Sequence, residues 1–425
     1  MSPPPLPEPP HAIGAAASIL NLAAALAARF GAPAGASPLA EPRLRAALAS
    51  ARSVVLVVFD GFGVRQLDDH VSSGALADCR LSTLSSVFPS STAPAMTSFA
   101  TALPPAMHGN PGWFVWSSAQ HCMVRSLPLD VRGDPRTPVA AASLWSWQPW
   151  PAASRSPCLA WLPADIAESR YSQYAYAGST RIGYEDPQQI IDALADALRA
   201  TPGGLFAQVY LPQFDAISHV FGCRSPRAAN VASGFDRWFE ALADRLRAFD
   251  VLLLATADHG FIDIAPQDQH HLADHPSLAA CLGRPLAGEP RVPFCDVLPG
   301  REDEFADGVR QAFADAFDVY PSGELLAAGW FGPSTPPASA SDSASASASA
   351  SASVSASAAS AASSAAAGIL GDRLGTHLLI PRGNAVLIDQ VEGEKPLSMI
   401  GMHGGPSDDE MRVPLMAAYR GRPLA

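Results

Sequence analysis

The chain has 425 residues, 48% hydrophobic and 16% charged, with 28 Lys and Arg against 40 Asp and Glu for a formal net charge of −12. That composition allows a sizeable core, and an acidic balance with no basic block argues against broad contact with nucleic-acid polymers. The six cysteines (Cys79, Cys122, Cys158, Cys223, Cys281, Cys295) are scattered without a Cys-x-x-Cys pair, which argues against a disulfide framework and a cysteine zinc cage.

Residues 1–12 are Pro-rich and lack the basic start and apolar stretch of a secretory signal, so a disordered tail is expected. Residues 14–30 have helical periodicity through Ile19, Leu20, Leu22, Leu26 and Phe30, with Gly31 as a stop. This helix is expected to pack on the catalytic domain. The run Val54–Phe59 is continuously apolar and ends in Asp60-Gly61, which predicts a strand buried on both faces with an acid at its carboxyl end. The same grammar returns at 205–215 and 251–260, and 187–200 and 235–249 between them have amphipathic helical spacing. Alternating strands and helices imply an α/β fold with a mainly parallel central sheet and helices on both faces. Sites in such sheets lie at the carboxyl ends of the strands. The apolar runs are too short to span a bilayer, so no membrane segment is expected and a cytoplasmic protein is the default.

Residues 334–367 are almost pure Ser-Ala alternation, which cannot bury apolar surface and predicts a disordered spacer. Beyond it, 375–389 reads as two short strands around a turn at Arg382-Gly383-Asn384. The tract therefore interrupts a folded region. The expected organisation is a tail and helix over 1–50, then one catalytic domain over 51–425, with a small inserted subdomain at 275–397.

Four segments place Asp or His at or near strand ends: Asp60, Asp215 with His219, Asp258 with His259, and His403. Three carboxylates and three imidazoles suit zinc, and also manganese or iron. The four-residue spacing of Asp215 and His219 puts both on one face of a helical turn. Adjacent Asp258 and His259 can splay to serve different ions. The stretch SSTAP (90–94) reads as a helix start near Pro94, with a Ser or Thr as its cap.

The order of these segments resembles the alkaline phosphatase superfamily, and within it the type I phosphodiesterase/nucleotide pyrophosphatase family. The segment SVFPSSTAPAMTSFATALPPAMHG (86–109) decides it, being similar to that family's nucleophile region. The resemblance covers roughly 52–110, 205–262 and 398–418. It implies an alkaline phosphatase-like fold, Thr92 as nucleophile and metal ligand, and two divalent cations. One cation would be held by Asp215, His219 and His403, and the other by Asp60, Asp258 and His259 with Thr92 on its open side. Three carboxylates and a Thr92 alkoxide would balance two divalent cations, so a small anionic phosphate ester is admitted. Metal coordination and a helix N-terminus would both favour the alkoxide and the phosphoryl group.

The implied reaction is cleavage of a phosphodiester or nucleotide pyrophosphate through a covalent phospho-threonine. Phosphomonoesterase and phosphonate hydrolase activity are alternatives within the superfamily, and a non-catalytic binding protein is the alternative outside it. A sulfatase would need Arg where Met96 stands, and Thr92 cannot become formylglycine. A metal-dependent mutase would need a second large inserted domain. The chain departs from the family at Ala93, Pro94 and Ala95, where secreted members have Phe-Pro-Asn. It departs again where the family has an Asn that contacts the transferred phosphoryl oxygen. That distance lands on Trp113, with Asn110 three positions earlier. His270, His271 and His275 read as a solvated loop, His108 as a turn residue near the site, and Arg291 and Arg382 as basic groups without an assigned place. The aromatics between Trp145 and Tyr184 read mainly as packing.

Overall fold

The strand Ser53–Phe59 has no charged residue to turn toward water, and it is buried at every position. It pairs in parallel with Val251–Thr256 on one side and Phe206–Leu211 on the other. Cys158–Pro163 and Thr180–Tyr184 extend the parallel part outward from Phe206–Leu211. On the opposite side Arg412–Tyr419 runs antiparallel to both Val251–Thr256 and Arg80–Ser85. The result is a mixed but mainly parallel central sheet. The computed structural model describes residues 6, 8–10, 17–313, 316–335 and 370–424, so the Ser/Ala tract beyond residue 335 and most of the Pro-rich tail fall outside the described residues.

Helices cover both faces. Phe206 stands opposite Val54, and Leu211 opposite Phe59, so strand alternation puts Phe206 and Phe59 on opposite faces. Phe59 packs on Phe235 and Trp238 of the helix Pro226–Leu246, with ring centroids 4.5 and 6.3 Å away. Phe206 meets Phe30 at 5.5 Å and Trp150 at 4.8 Å. Phe30 closes the helix Ile19–Arg29, where Ser18 and Asn21 form a capping box. Pro226–Leu246 begins nine residues before the amphipathic stretch at 235, because Ser225 caps it and Pro226 fits its first turn. The aromatic segment does pack: Trp145, Trp147, Trp150, Trp161, Tyr171, Tyr176 and Tyr184 are buried.

A second, antiparallel sheet has the order Phe317–Pro321, His377–Pro381, Pro293–Cys295, Ala287–Gly288, Phe114–Ser117, Cys122–Arg125, Asp130–Val131 and Asp134–Pro138. It unites strands of the 275–397 stretch with a meander at 114–138. The two strands flanking Arg382-Gly383-Asn384 separate: His377–Pro381 joins this sheet, while Val386–Ile388 pairs in parallel with Gln269–His271. His270 therefore lies in a strand rather than a loop, with its ring against Phe313 and Phe317. His275 also packs on Phe313.

Candidate metal centre and nucleophile

Asp60 follows the last residue of Ser53–Phe59, and the chain turns at once through Gly61, whose φ is +72°. A Cβ there would lie 2.5 Å from the Phe261 ring, so only glycine fits. The Gly61 N–H donates to Asp258 Oδ1 at 3.0 Å, tying two strand ends together. Asp258 and His259 follow Val251–Thr256, and the helix Gln213–Phe221 opens directly after Phe206–Leu211. Its four-residue spacing brings His219 Nε2 to 3.2 Å from Asp215 Oδ1. His403 arrives from the loop after Gly401–Met402, with Nε2 3.6 Å from Asp215 Oδ1.

Six side chains thus gather into two groups, Asp215 with His219 and His403, and Asp60 with Asp258 and His259. Within each, one ligand atom per residue lies within 4.8 Å of the others. The groups adjoin, for the His259 and His403 rings stack with centroids 3.7 Å apart.

The histidines share one device. His219 Nδ1 donates to the Gly401 carbonyl at 2.9 Å, His259 Nδ1 to Gly260 at 3.0 Å, and His403 Nδ1 to Ser90 at 3.2 Å. A carbonyl only accepts, so each Nδ1 carries hydrogen and Nε2 is the ring nitrogen left to face a cation. The Asp258 carboxylate accepts at Oδ1 from two backbone N–H groups, while its buried Oδ2 has no hydrogen bond. Buried Asp215 Oδ1 has none either. Orphaned oxygens facing these ring nitrogens fit divalent cations.

Electrostatics agree. Burial, then the charge of Asp215, pushes Asp60 well above the usual carboxylate range. Burial and the neighbouring Asp60 do the same to Asp258. Burial, then His259 and His219, drives His403 well below the imidazole range. Burial opposes the protonation of His219, but the Asp215 carboxylate outweighs it and pushes His219 up to about 9. Without cations Asp60 and Asp258 are driven toward protonation, while at Asp215 burial is outweighed by His219, which holds the carboxylate below the usual range. It is therefore the Asp60 and Asp258 pair whose strain a metal relieves.

Thr92 is the first residue of the helix Thr92–Thr101, and its Oγ1 lies 3.1 Å from His259 Nε2 and 3.4 Å from Asp60 Oδ1. Ser90 and Ser91 are turned elsewhere: Ser90 Oγ donates to the Gly405 carbonyl and Ser91 Oγ to Glu289 Oε1, each at 2.6 Å. The N–H groups of Thr92 and Ala93 make no hydrogen bond among the described residues. Asn110 lies beneath this turn, its Nδ2 donating to the Ala93 carbonyl at 3.3 Å and to Thr97 Oγ1 at 2.9 Å. It braces the helix that presents Thr92. His108 accepts from the Asn110 N–H at Nδ1 and meets Ser98 Oγ at 3.1 Å; burial lowers it to about 3, so it stays neutral.

Arg291 is fully buried, and its fork meets Glu410 at 2.9 and 2.7 Å. Glu410 in turn accepts from the Gly405 N–H and Ser407 Oγ. The pair therefore shapes the loop behind His403. Arg382 lies on the surface, paired with Asp318. Sequence reasoning missed two residues here: Tyr210, whose hydroxyl donates to Asp60 Oδ2, and Glu289. Tyr210 sits inside an apolar strand and Glu289 in a turn, and neither position carries a chemical signal of its own.

In structure the chain is similar to murine ectonucleotide pyrophosphatase/phosphodiesterase 5, with 16% identity, a TM-score of 0.61, and 86% of this chain and 87% of that one covered. The human counterpart gives 14% identity, a TM-score of 0.59 and the same coverage. Phosphonoacetate hydrolase from Sinorhizobium meliloti 1021 gives 17% identity and 0.52 over 88% and 91% of the chains. At these identities the likeness speaks to the fold. No curated protein matches the sequence. The sequence profile described as Type I phosphodiesterase / nucleotide pyrophosphatase matches residues 54–404. Its members are metal-dependent hydrolases acting on phosphoester bonds. With a match over most of its length, the chain belongs to the type I phosphodiesterase/nucleotide pyrophosphatase family.

Proposed function

We propose that the protein hydrolyses a small phosphodiester or nucleotide pyrophosphate through a phospho-threonine formed on Thr92. The observation that carries this is the convergence on one hydroxyl: Thr92 Oγ1 stands at a helix start, 3.4 Å from Asp60 Oδ1 and 3.1 Å from His259 Nε2. Asp215, His219 and His403 would hold one divalent cation, and Asp60, Asp258 and His259 another, with zinc the first choice for this donor set. When bound, such cations supply positive charge that lowers the hydroxyl pKa and offsets charge on the phosphoryl oxygens.

The chain's own residues then define the path. Thr92 Oγ1 gives up its proton and attacks phosphorus in line, the bond to the leaving oxygen breaks, that oxygen takes up a proton, and the phosphoryl group passes to Thr92. The N–H groups of Thr92 and Ala93 point from the first turn toward phosphoryl oxygens. Water then attacks phosphorus, the bond to Thr92 breaks, and the hydroxyl is regenerated. The murine neighbour is also described as an inactive variant with AMP, and the Sinorhizobium enzyme with phosphonoformate. Both ligands support a small anionic phosphorus compound here. Six unpaired thiols support a reducing, cytoplasmic setting.

The test is metal analysis of protein purified without chelator, beside hydrolysis of bis-p-nitrophenyl phosphate, p-nitrophenyl phosphate and a phosphonate. Bound metal and turnover of the diester are expected. Absence of both metal and hydrolysis would sink the reading, and faster turnover of the monoester or phosphonate would redirect it.

A further inference from the structure

Glu289 is 6% exposed and has no cationic side-chain partner among the described residues, unlike Glu410, which is paired with Arg291. Removing a carboxylate from water without a counter-ion is expensive, and fold stability alone gives no reason to keep one here. Its Oε1 accepts two hydrogen bonds, from Ser91 Oγ at 2.6 Å and from the Trp113 N–H at 2.8 Å. Both donors matter to the site. Ser91 is the residue immediately before Thr92, and Trp113 stands where the family has its phosphoryl-contacting Asn.

Ser91 occupies the cap position of the helix Thr92–Thr101, yet its hydroxyl caps nothing in that helix. The third helical residue is Pro94, which has no N–H to offer, and Glu289 draws the hydroxyl away from the Ala93 N–H. Glu289 thereby leaves the first turn open on the side of Thr92. It also abuts the loop that carries His403: a Cβ on Gly404 would lie 3.0 Å from the Glu289 Cβ. One side chain thus touches the nucleophile's neighbour, the Trp113 backbone and the loop of a candidate metal ligand. Burial raises Glu289 to about 7, while the bonds from Ser91 and Trp113 pull it down, as a carboxylate kept in place by donors would be.

We propose that Glu289 is a positioning residue of the phosphoryl-transfer site, using one carboxylate oxygen to lock Ser91 to the backbone at Trp113 and so to set where Thr92 meets the phosphoryl group. This rests on the reading of Thr92 as nucleophile. Displacements of about 1 Å at a reacting atom can lower turnover on the order of 100-fold, so the effect belongs in kcat.

The experiment compares Glu289→Ala, Glu289→Gln and Ser91→Ala with the wild type, on the diester, at matched metal content. Gln keeps an acceptor oxygen for both donors and Ala keeps none. Glu289→Ala is expected to lose at least ~10-fold in kcat with KM within ~3-fold, while Glu289→Gln stays within ~3-fold of wild-type kcat. Wild-type kcat in Glu289→Ala, or an equal loss in Glu289→Gln, overturns the proposal. If Glu289→Ala does not fold, Ser91→Ala decides, because it cuts one link from outside the buried carboxylate: lowered kcat supports the proposal and wild-type kcat overturns it. If the wild type hydrolyses nothing, the functional reading fails separately. Hydrogen exchange over 86–98 then still reports on Glu289, with faster exchange in Ser91→Ala and in any folded Glu289→Ala, but not in Glu289→Gln, expected. Exchange unchanged from the wild type overturns the proposal.

Discussion

The hydroxyl of Tyr210 donates to Asp60 Oδ2 across two neighbouring parallel strands, leaving Oδ1 as the oxygen 3.4 Å from Thr92 Oγ1. Burial and the charge of Asp60 hold the phenol well above its usual range, so it stays a donor. Groups that orient a metal ligand in this way are commonly worth about 10–100-fold in metal affinity. Tyr210→Phe should therefore weaken cation binding by about that factor and leave the fold intact. A metal titration against a competing chelator reads it, and unchanged affinity would show that Asp60 needs no such support.

Thr92→Ala should retain metal and melt like the wild type while turnover falls on the order of 10³-fold or more, since the bond-forming oxygen is gone. Thr92→Ser should keep part of the activity, because it keeps the hydroxyl. Equal turnover in Thr92→Ala and wild type would assign the nucleophile elsewhere.

Stability of the chelator-treated protein should depend on pH through His219. Its folded value of about 9 lies above the ordinary 6.5, because Asp215 outweighs burial. The protonated imidazole therefore contributes fully below pH 6.5, and that contribution is lost as pH rises through 9. Asp60 and Asp258, both raised, also bind more protons folded than unfolded and push the same way. Thermal melts of the metal-free protein should fall between these two pH values, and fall less in His219→Gln. A flat profile would refute the coupling of His219 to Asp215.

Arg291 and Glu410 are both fully buried and joined by two hydrogen bonds. Arg291→Met leaves the Glu410 charge uncompensated and should cost about 3–5 kcal/mol in denaturant unfolding. Restoring neutrality with Glu410→Gln should recover part of it. A double variant no better than the single one would mean that the lost contact with the Ala385 carbonyl, not the charge, sets the cost.

What could be read from the sequence was whatever interrupts a pattern. Asp60 and Asp258 each break a continuous apolar run, and a polar residue at a strand end has nowhere to point except into the site. Asp215 and His219 reveal themselves by helical spacing. The meander at 114–138 was not legible, because strands of two to five residues have too few alternations to announce a period. Nor was the parting of His377–Pro381 from Val386–Ile388, since a turn between strands says nothing about which partner each will find. Tyr210 and Glu289 matter through contacts 150 and 198 residues away in the chain, and local pattern is blind to such distances.

The strand Arg412–Tyr419 lies between Val251–Thr256 and Arg80–Ser85, inside the sheet rather than at its edge. Of all the strands in that sheet, only Arg422–Pro423 is synthesised later. Arg80–Ser85 thus leaves the ribosome more than three hundred residues before its neighbour exists. Until then the half-made sheet carries an open row of backbone groups beside the future His403 loop. Assembly of the site therefore waits until Arg412–Tyr419 has been made, and the nascent chain has an interval in which the wrong strand can take that place.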